Sequence, residues 1–210
     1  GLLLTHFHND RLEGAHAVLE HCRVDRVWEN GSDIESPAFQ DYRAICARLR
    51  VPRVPVKAGD TLDFGAEVFA AVLRPADGWL KAPKIEQHDG SIMLLLRYGK
   101  TSFLFPGDVE TDAQDKLAVL GDQLKAVGML LPISGSAQAF SESFFRVVQP
   151  DFACISVGAD NLAGFPETPV LNWFQKEKIE IYRTDSQGTI TIRLGGRSTK
   201  DFQVRVDRSL

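Results

Sequence analysis

Apolar and polar positions along this chain fall into short blocks whose spacing predicts alternating strands and helices. Leu2 to Thr5 form a short apolar run, the pattern of a strand that is buried on both faces. From Leu12 to Cys22 the apolar residues recur at helical spacing, and Val24 to Trp28 is predicted to be the next strand. Pro37 to Leu49 is a second predicted helix, because Ser36 suits its N-cap and proline suits its first position.

The middle of the chain has a strand pattern with frequent turns. Residues 54 to 75 form short alternating runs between Gly-Asp and Phe-Gly turns, which predicts a β-meander. Residues 76 to 90 are polar and contain proline, so we expect a loop that crosses a sheet edge. Ser91 to Arg97 and Thr101 to Pro106 then predict a β-hairpin that ends at Asp108.

Strands and helices interleave in the last part of the chain. Helices are predicted over 112–120, 141–148 and 169–178, and strands over 129–133, 152–157, 179–183 and 189–194. This order, together with the preceding hairpin, predicts mixed sheets covered by helices, and therefore an α/β (α+β) fold.

The composition is that of one globular domain. With 210 residues, of which 44% are hydrophobic, the chain can bury a layered core, so we predict a single domain over 1–210. The net charge of −4 argues against a wholly basic nucleic-acid binder but leaves room for a local basic or metal-lined cleft.

Cys22, Cys46 and Cys154 are widely spaced, and we expect all three to be buried and reduced. The chain opens on an apolar run without an initiator Met, which indicates a piece of a longer protein, and no run has transmembrane length.

The stretch HFHND after the first predicted strand carries the main chemical signal. In His6, His8 and Asp10, alternate side chains can point the same way, so two imidazoles and a carboxylate can converge on one point. These are ligands for zinc, manganese or iron. The alternative is a surface turn that carries these residues without a function. We favour an ancestral metal site because the stretch directly follows a buried strand.

Asp108 is a second candidate ligand. Gly107 allows the chain to turn sharply where an apolar strand ends, which leaves the carboxylate at the edge of a sheet. The alternative is that Asp108 supplies negative charge to the N-terminus of the helix that follows.

Five segments occur in the order found in the metallo-β-lactamase superfamily: HFHNDRLEG, SIMLLLRYGKTSFLFPGDVE, LLPISGSAQAFSESFFRVVQPDFACISVGADN, GFPETPVLNWF and IYRTDSQGTITI. More narrowly, the chain resembles the carboxy-terminal domain of the ComEC family of natural-competence DNA-channel proteins, to which SVGADN and YRTDSQGTITI are the most particular. The resemblance implies a metallo-β-lactamase-like αββα four-layer sandwich, here lacking its first strands, in which strand-end loops hold metal ions.

The resemblance also implies an activity, partners and a location. In ComEC relatives a metal-bound hydroxide is expected to hydrolyse phosphodiester bonds of the DNA strand that is not transported. The expected partners are single-stranded or double-stranded DNA and the membrane-channel portion of the same or a partner protein, with no small organic cofactor. The expected location is a soluble domain of a bacterial inner (cytoplasmic) membrane protein.

Three departures from the family pattern fall on its metal-binding loops. The family's HxHxDH motif has Arg11 in place of its last histidine, and arginine does not bind metal ions. Relatives carry HHGS where this chain has Ile133-Ser134-Gly135-Ser136, and a GHP-like motif where it has Gly164-Phe165-Pro166. The resemblance therefore implies a degenerate site that holds one divalent ion, zinc or manganese, or none.

The residues that remain at these loops have the following expected roles. The candidate metal ligands are His6, His8, Asp10, Asp108 and His88, and the candidate catalytic carboxylates are Asp10 and Asp108. The alternative for His88 is a loop histidine exposed to water. The candidate substrate contacts are Arg11, Ser134 and Ser136. Arg11 either stands in for a second cation or reflects drift after catalysis was lost, and we favour drift.

Three functions stay open at this point. The chain is a nuclease-like domain with an incomplete metal site, a catalytically silent module that guides DNA, or a hydrolase of a small ester or lactone. The number of surviving ligands favours the silent module, whereas the acidic net charge is the feature in favour of a small substrate.

Overall fold

The computed structural model describes residues 1–81, 88 and 90–208, and the chain divides into two compact units. The first unit contains residues 1–60 and 72–93, and the second contains residues 61–71 and 94–210. The predicted loop over 76–90 lies partly outside the described residues, since 82–87 and 89 are not among them. The single domain over 1–210 stays a prediction.

The first unit is built on a small parallel sheet. Its strands β1 (Leu2–Leu3), β2 (Val27–Glu29) and β3 (Arg53–Pro55) lie side by side in that order. The connections are α1 (Asn9–His21) and α2 (Pro37–Leu49), and a 3₁₀ turn lies at Trp79–Lys81. Parallel neighbours need crossover connections of this kind, so β3 pairs with β2. The prediction that a β-meander begins at residue 54 is wrong, because Arg53–Pro55 belong to the parallel sheet.

The second helix starts and ends where the sequence predicts. Ser36 Oγ accepts a hydrogen bond from the Phe39 amide at 3.1 Å, and Pro37 occupies the first turn. The residue after the helix, Arg50, has a φ of 56°, a left-handed conformation that ends helices. The predicted bounds of Pro37 to Leu49 are confirmed.

The two helices of the first unit bury their apolar faces in one core. The members of this core are Leu4, Phe7, Leu12, Ala15, Leu19, Val27, Phe39, Tyr42 and Cys46. The Phe7 ring centroid lies 4.7 Å from that of Phe39 and 5.7 Å from that of Tyr42. Full burial of a side chain of the size of Phe contributes about 1.5–3 kcal/mol. Phe7 therefore anchors the HFHND stretch, because it lies between His6 and His8.

A buried carboxylate, Glu29, joins three elements of the first unit. Its Oε2 accepts hydrogen bonds from Tyr42 Oη at 2.6 Å and from Arg53 Nε at 2.9 Å, and its Oε1 accepts one from Arg53 Nη2 at 2.7 Å. The Arg53 guanidinium also lies over the rings of Phe39 and Tyr42, 5.3 Å from each centroid. Because Glu29 has a cation and a hydroxyl as partners, its burial is compensated.

A mixed seven-stranded sheet, most of whose residues belong to the second unit, has the strand order β10-β9-β8-β7-β6-β5-β4. Its strands are β4 (Thr61–Asp63), β5 (Val68–Arg74), β6 (Met93–Tyr98), β7 (Thr101–Phe105), β8 (Gly128–Leu130), β9 (Phe152–Ile155) and β10 (Glu180–Arg183). The pairs β4–β5 and β6–β7 are antiparallel, and the run from β7 to β10 is parallel. The predicted hairpin is confirmed as β6 and β7.

Helices and a second hairpin complete the second unit. The helices are α3 (Thr111–Ala118), α4 (Glu142–Val148), α5 (Thr168–Lys176) and α6 (Thr184–Gln187), with 3₁₀ turns at Gly121–Leu124, Pro132–Gly135 and Ala137–Ala139. The hairpin consists of β11 (Ile190–Leu194) and β12 (Phe202–Val206). Its inner face packs on Phe103, Phe152 and Cys154 of the larger sheet. Sequence patterns predicted all of these helices and strands except α6 and β12.

One cysteine differs from its predicted environment. Cys22 is exposed, because α1 ends at His21 and leaves the next residue outside the core. Cys46 and Cys154 are buried free thiols, as predicted. Burial raises the pKa of the Cys154 thiol to about 12, so this thiol is unreactive at neutral pH.

The described part of the chain contains no helix that is both long enough and apolar enough to cross a bilayer.

Removal of the Glu29 carboxylate should destabilise the protein strongly. In Glu29→Ala the Arg53 guanidinium and the Tyr42 hydroxyl lose their buried partner, so we expect the free energy of unfolding in urea to fall by about 3–5 kcal/mol. The control is Arg43→Ala, which breaks an exposed ion pair with Asp33 at 3.3 Å and should cost less than about 1 kcal/mol. Equal losses in the two variants would contradict the role of Glu29.

The same cluster should make stability fall at alkaline pH. Burial, and next the hydrogen bond to Glu29, raise the pKa of Tyr42 above its ordinary value of 10.0. Above that pH the unfolded state loses the phenol proton while the folded state retains it, so the free energy of unfolding decreases as the pH rises. Between about pH 9 and about pH 11, urea unfolding of Tyr42→Phe should show a smaller decrease than the parent protein. The same decrease in both would count against this origin.

Candidate functional site

The HFHND stretch lies where β1 ends and α1 begins. The carbonyl of Thr5 accepts a hydrogen bond from the Ile92 amide at 2.9 Å, which fixes the chain just before the first histidine. His8 is the N-cap residue of α1, and its carbonyl accepts hydrogen bonds from the amides of Arg11 and Leu12, both at 3.0 Å. The backbone of this stretch is therefore held from both sides.

His6 is the most buried titratable group of the stretch, with 1% of its surface exposed. Its Nδ1 lies 3.0 Å from Thr5 Oγ1 and 3.1 Å from Ser91 Oγ. Hydrogen bonds at one ring nitrogen set the ring orientation and the tautomer, and a histidine engaged at Nδ1 binds a metal ion through Nε2. The hydroxyls of Thr5 and Ser91 thus hold His6 in the manner of a metal-ligating imidazole.

Three histidine rings of the first unit form a cluster. The ring centroids are 4.6 Å apart for His6 and His8, 4.8 Å for His8 and His88, and 6.0 Å for His6 and His88. The rings meet edge to face, with interplanar angles of 82°, 69° and 86°. Within residues 1–81, 88 and 90–208, no three His, Cys, Asp or Glu side chains form a group that could hold a metal ion. The donor types suit a metal ion, but among the described residues three of them do not come together as one ligand set.

Asp10 and Arg11 lie in the first turn of α1, and their side chains are 70% and 48% exposed. Arg11 Nη1 is 4.0 Å from Asp10 Oδ2. An exposed pair at this distance contributes at most about 1 kcal/mol. A carboxylate in this position also interacts favourably with the N-terminal end of the helix dipole.

Next to His6 is a small pocket that the sequence did not indicate. Its volume is about 160 Å³, and His6, Asn30 and Trp79 are among its lining residues. Asn30 Nδ2 donates to the carbonyl of Gly90 at 3.0 Å, and Trp79 Nε1 donates to the carbonyl of Asn30 at 3.3 Å. The Trp79 ring is so close that a Cβ on Gly90 would lie 2.1 Å from it. These contacts hold residue 90 in place next to Ser91, a partner of His6. No motif marks Asn30 or Trp79, because each depends on residues far away in the chain.

Asp108 belongs to the second unit and lies in a turn just after β7. Gly107 has a φ of +61°, which is the sharp turn predicted for it. Asp108 is half-buried and precedes the start of α3 at Thr111 by three residues. Its role as a ligand or catalytic carboxylate stays a prediction.

The loop after β8 has an unusual backbone. Ile133, Ser134 and Gly135 have φ values of 42°, 49° and 84° in succession. Left-handed conformations at non-glycine residues cost about 1–2 kcal/mol each and persist only where surrounding contacts impose them. Ser134 Oγ supplies one such contact, because it donates to the carbonyl of Ser156 at 2.8 Å.

Glu167 holds the other side of this loop. Its Oε1 accepts hydrogen bonds from Ser136 Oγ at 3.1 Å and from the Ala137 amide at 2.8 Å, and its amide donates to the Gly135 carbonyl at 3.0 Å. The hydroxyls of Ser134 and Ser136 are therefore used to hold the loop. No sequence motif marked Glu167 as a functional residue.

Phe165 is half-buried in a loop whose backbone is held by one side chain. Asn161 Oδ1 accepts from the Phe165 amide at 2.9 Å, and Asn161 Nδ2 donates to the Phe165 carbonyl at 2.8 Å. The loop thus has a defined conformation around an aromatic residue that cannot bind a metal ion.

A methyl group at Gly135 should destabilise the loop. In Gly135→Ala the new Cβ would lie 2.7 Å from Pro166 Cβ, at a φ that disfavours a side chain, so we expect a loss of about 2–4 kcal/mol in urea unfolding. Gly121→Ala is the control, since its φ is also positive, at +55°, but no atom lies within 4 Å of the added Cβ. It should cost only about 1–2 kcal/mol. An equal loss would mean that packing against Pro166 does not matter.

Comparisons with known proteins agree on the fold. No protein-family model matches the sequence. ComE operon protein 3 of Bacillus subtilis is 28% identical over 197 residues, which are 93% of this chain but 25% of that protein, so the chain spans about a quarter of its curated relative.

The diiron β-hydroxylase CmlA of Streptomyces venezuelae superimposes with a TM-score of 0.58 at 18% identity, over 88% of this chain and 43% of CmlA. A protein described as a metal-dependent hydrolase of Parabacteroides distasonis gives 0.52 at 16% identity, over 86% and 74% of the two chains. The chain therefore has the metallo-β-lactamase-like fold, and over most of its length it resembles ComE operon protein 3.

Proposed function

We propose that this chain is a degenerate metallo-β-lactamase-like domain of a competence DNA-uptake channel protein, which contacts DNA but no longer hydrolyses it. The likeness to ComE operon protein 3 over 93% of the chain supports this context. DNA, the membrane-channel portion and a bacterial cytoplasmic-membrane location belong to the proposal, because the chain matches only 25% of that relative.

The state of the HFHNDR stretch is the observation that carries the proposal. His6 is buried and held by two hydroxyls, which is how a ligand is positioned. Asp10, the next acidic candidate, is 70% exposed and faces the cation of Arg11. An arginine beside a metal site repels a divalent ion, so the stretch has kept part of a site and lost the rest.

The donor set limits what metal chemistry the chain could support. His6, His8 and His88 are imidazoles, which suit zinc or manganese, but the described side chains form no three-donor group. A catalytic zinc needs three protein ligands and one open position. A two-ion centre would need still more donors. The residues thus do not fit a two-ion centre, and we derive no hydrolytic step through a metal.

The loop at residues 133–136 supports the same conclusion. Its serines bond to Ser156 and Glu167, so the hydroxyls stabilise the loop. To donate a hydrogen bond to a substrate, Ser134 and Ser136 would have to exchange these partners. Arg11 is the predicted substrate contact with the most exposed side chain, and its planar fork suits a phosphate.

Two other functions make different demands on the residues of the chain. A residual one-ion phosphodiesterase would use His6 and His8 as ligands and Asp10 or Asp108 as ligand or base. A hydrolase of a small ester or lactone would need a substrate pocket. The pocket beside His6 has about 160 Å³, below the roughly 300–1,000 Å³ of typical ligand sites, so no observation favours that function.

Metal content and DNA cleavage, measured together, test the proposal. The purified protein should be incubated with zinc or manganese, freed of excess ion and analysed for bound metal, alongside His6→Ala/His8→Ala. We expect at most about one equivalent, lost in the double variant, and no cleavage of labelled single-stranded or double-stranded DNA above the double variant. DNA binding, measured by anisotropy, should persist in both proteins.

The matched control is His16→Ala/His21→Ala, which removes the same number of histidines from the body and end of α1. His16 Nε2 contacts the Ala38 carbonyl at 3.1 Å, and His21 is exposed, so metal binding should not change. Metal-dependent cleavage that His6→Ala/His8→Ala abolishes and the control retains would overturn the proposed loss of hydrolysis. Absence of DNA binding by the parent protein would overturn the proposed role in DNA contact.

A further inference from the structure

A polar pocket in the second unit is lined by none of the residues to which a role has been assigned so far. It has a volume of about 380 Å³ and opens where β7, β8 and β9 begin. The loops before β8 and β9 and the turns of both hairpins contribute its walls. The residues of HFHND, the loop at 133–136 and Asp108 do not line it.

The charge of this pocket is opposite to that of the whole chain. Four cationic side chains line it, Arg97, Lys100, Lys125 and Lys200, against two carboxylates. The pocket therefore has an excess of two positive charges on a chain whose net charge is −4. A local concentration of one sign on a protein of the other sign raises the local concentration of counter-charged ligands.

Two of the four cations are paired with the carboxylates. Lys125 Nζ lies 2.7 Å from Asp122 Oδ1, and the two side chains are 51% and 88% exposed. Lys200, which is 73% exposed, pairs with Asp151, whose side chain is 32% exposed. Exposed pairs of this kind contribute little, so these lysines can exchange a carboxylate for another anion at low cost.

The other two cations have no carboxylate partner in the described part of the chain. Arg97 Nη2 donates to the carbonyl of Gln123 at 3.1 Å, which fixes one nitrogen of the guanidinium. The other N–H groups of the guanidinium can donate to an anion. For Lys100 no ion pair within 4.0 Å is found among the described residues. These two side chains are the strongest candidates for binding an anion.

The backbone around Lys100 is held in place. Its amide donates to the carbonyl of Gly196 at 2.8 Å, which ties the turn of the first hairpin to the turn of the second. The two turns are in such close contact that a Cβ on Gly99 would lie 2.3 Å from Gly196 O. Ser102 Oγ also donates to the Lys125 carbonyl at 3.0 Å. The cations thus project from a fixed frame, which lowers the ordering cost of binding.

We infer that this pocket binds the phosphate groups of a nucleic-acid backbone, and this inference rests on the proposed role in DNA contact. No aromatic ring lines the pocket, so bases have no surface on which to stack. Binding is therefore electrostatic, independent of sequence and strongly dependent on salt.

The test compares the pocket variant Arg97→Ala/Lys100→Ala with Arg193→Ala/Arg205→Ala. The control removes the same charge from exposed positions on β11 and β12 that do not line the pocket. Affinity for a labelled oligonucleotide, single-stranded or double-stranded, is measured by anisotropy over a range of salt, with EDTA present to exclude metal effects. We expect the pocket variant to bind about tenfold more weakly at low salt, with a salt slope reduced by about 2, and the control to change less than about threefold.

Each of the other outcomes overturns one part of the proposal. Equal losses in the pocket variant and the control overturn the pocket while DNA contact stands. If the parent protein does not bind DNA, the pocket proposal and the proposed function fail together. Titration with pyrophosphate is the second arm: binding of pyrophosphate that the pocket variant loses, without binding of DNA, overturns the nucleic-acid ligand in favour of a free phosphate compound.

Discussion

The buried carboxylate of Glu29 is the constraint on which the first unit depends. It is 2% exposed, and it satisfies Tyr42 of α2 and Arg53 of β3 from its own place on β2. Because β2 pairs with both β1 and β3, this one group fixes the strand from which the HFHND stretch emerges. The position of the histidines thus follows from a polar cluster that takes no part in their chemistry.

The proposed degenerate metal site would have kept its supporting contacts and lost its ligands. The hydroxyls of Thr5 and Ser91 still hold His6, and Glu167 still holds a loop with three successive positive φ values. Such contacts also stabilise the fold, whereas a ligand such as an exposed carboxylate contributes little to stability. The proposed loss of ligands with retention of these supports is the course expected once selection for metal binding relaxes.

Sequence patterns predicted most of the fold because local signals agree with the final structure. Ser36 and Pro37 mark the start of α2 by capping chemistry alone, and the bounds of that helix are confirmed. The pairing of β3 with β2 was missed, because it depends on a crossover helix and not on the alternation near Val54. β12 was missed although Phe202 to Val206 alternate in burial, since the stretch is short and flanked by charges. At the site, the spacing of His6, His8 and Asp10 was visible, but the direction of Asp10 and the roles of Asn30 and Trp79 depend on tertiary contacts.

The exposure of Cys22 makes it a natural attachment point for a reporter dye. Burial raises the pKa of both Cys46 and Cys154, so a maleimide at neutral pH reacts with Cys22 in preference to the other thiols. Cys22 directly follows α1, whose 13 residues rise roughly 20 Å from end to end. A fluorophore there lies about one helix length from the histidine cluster, so it does not touch the histidines. The unmodified sequence therefore already supports single-site spectroscopy.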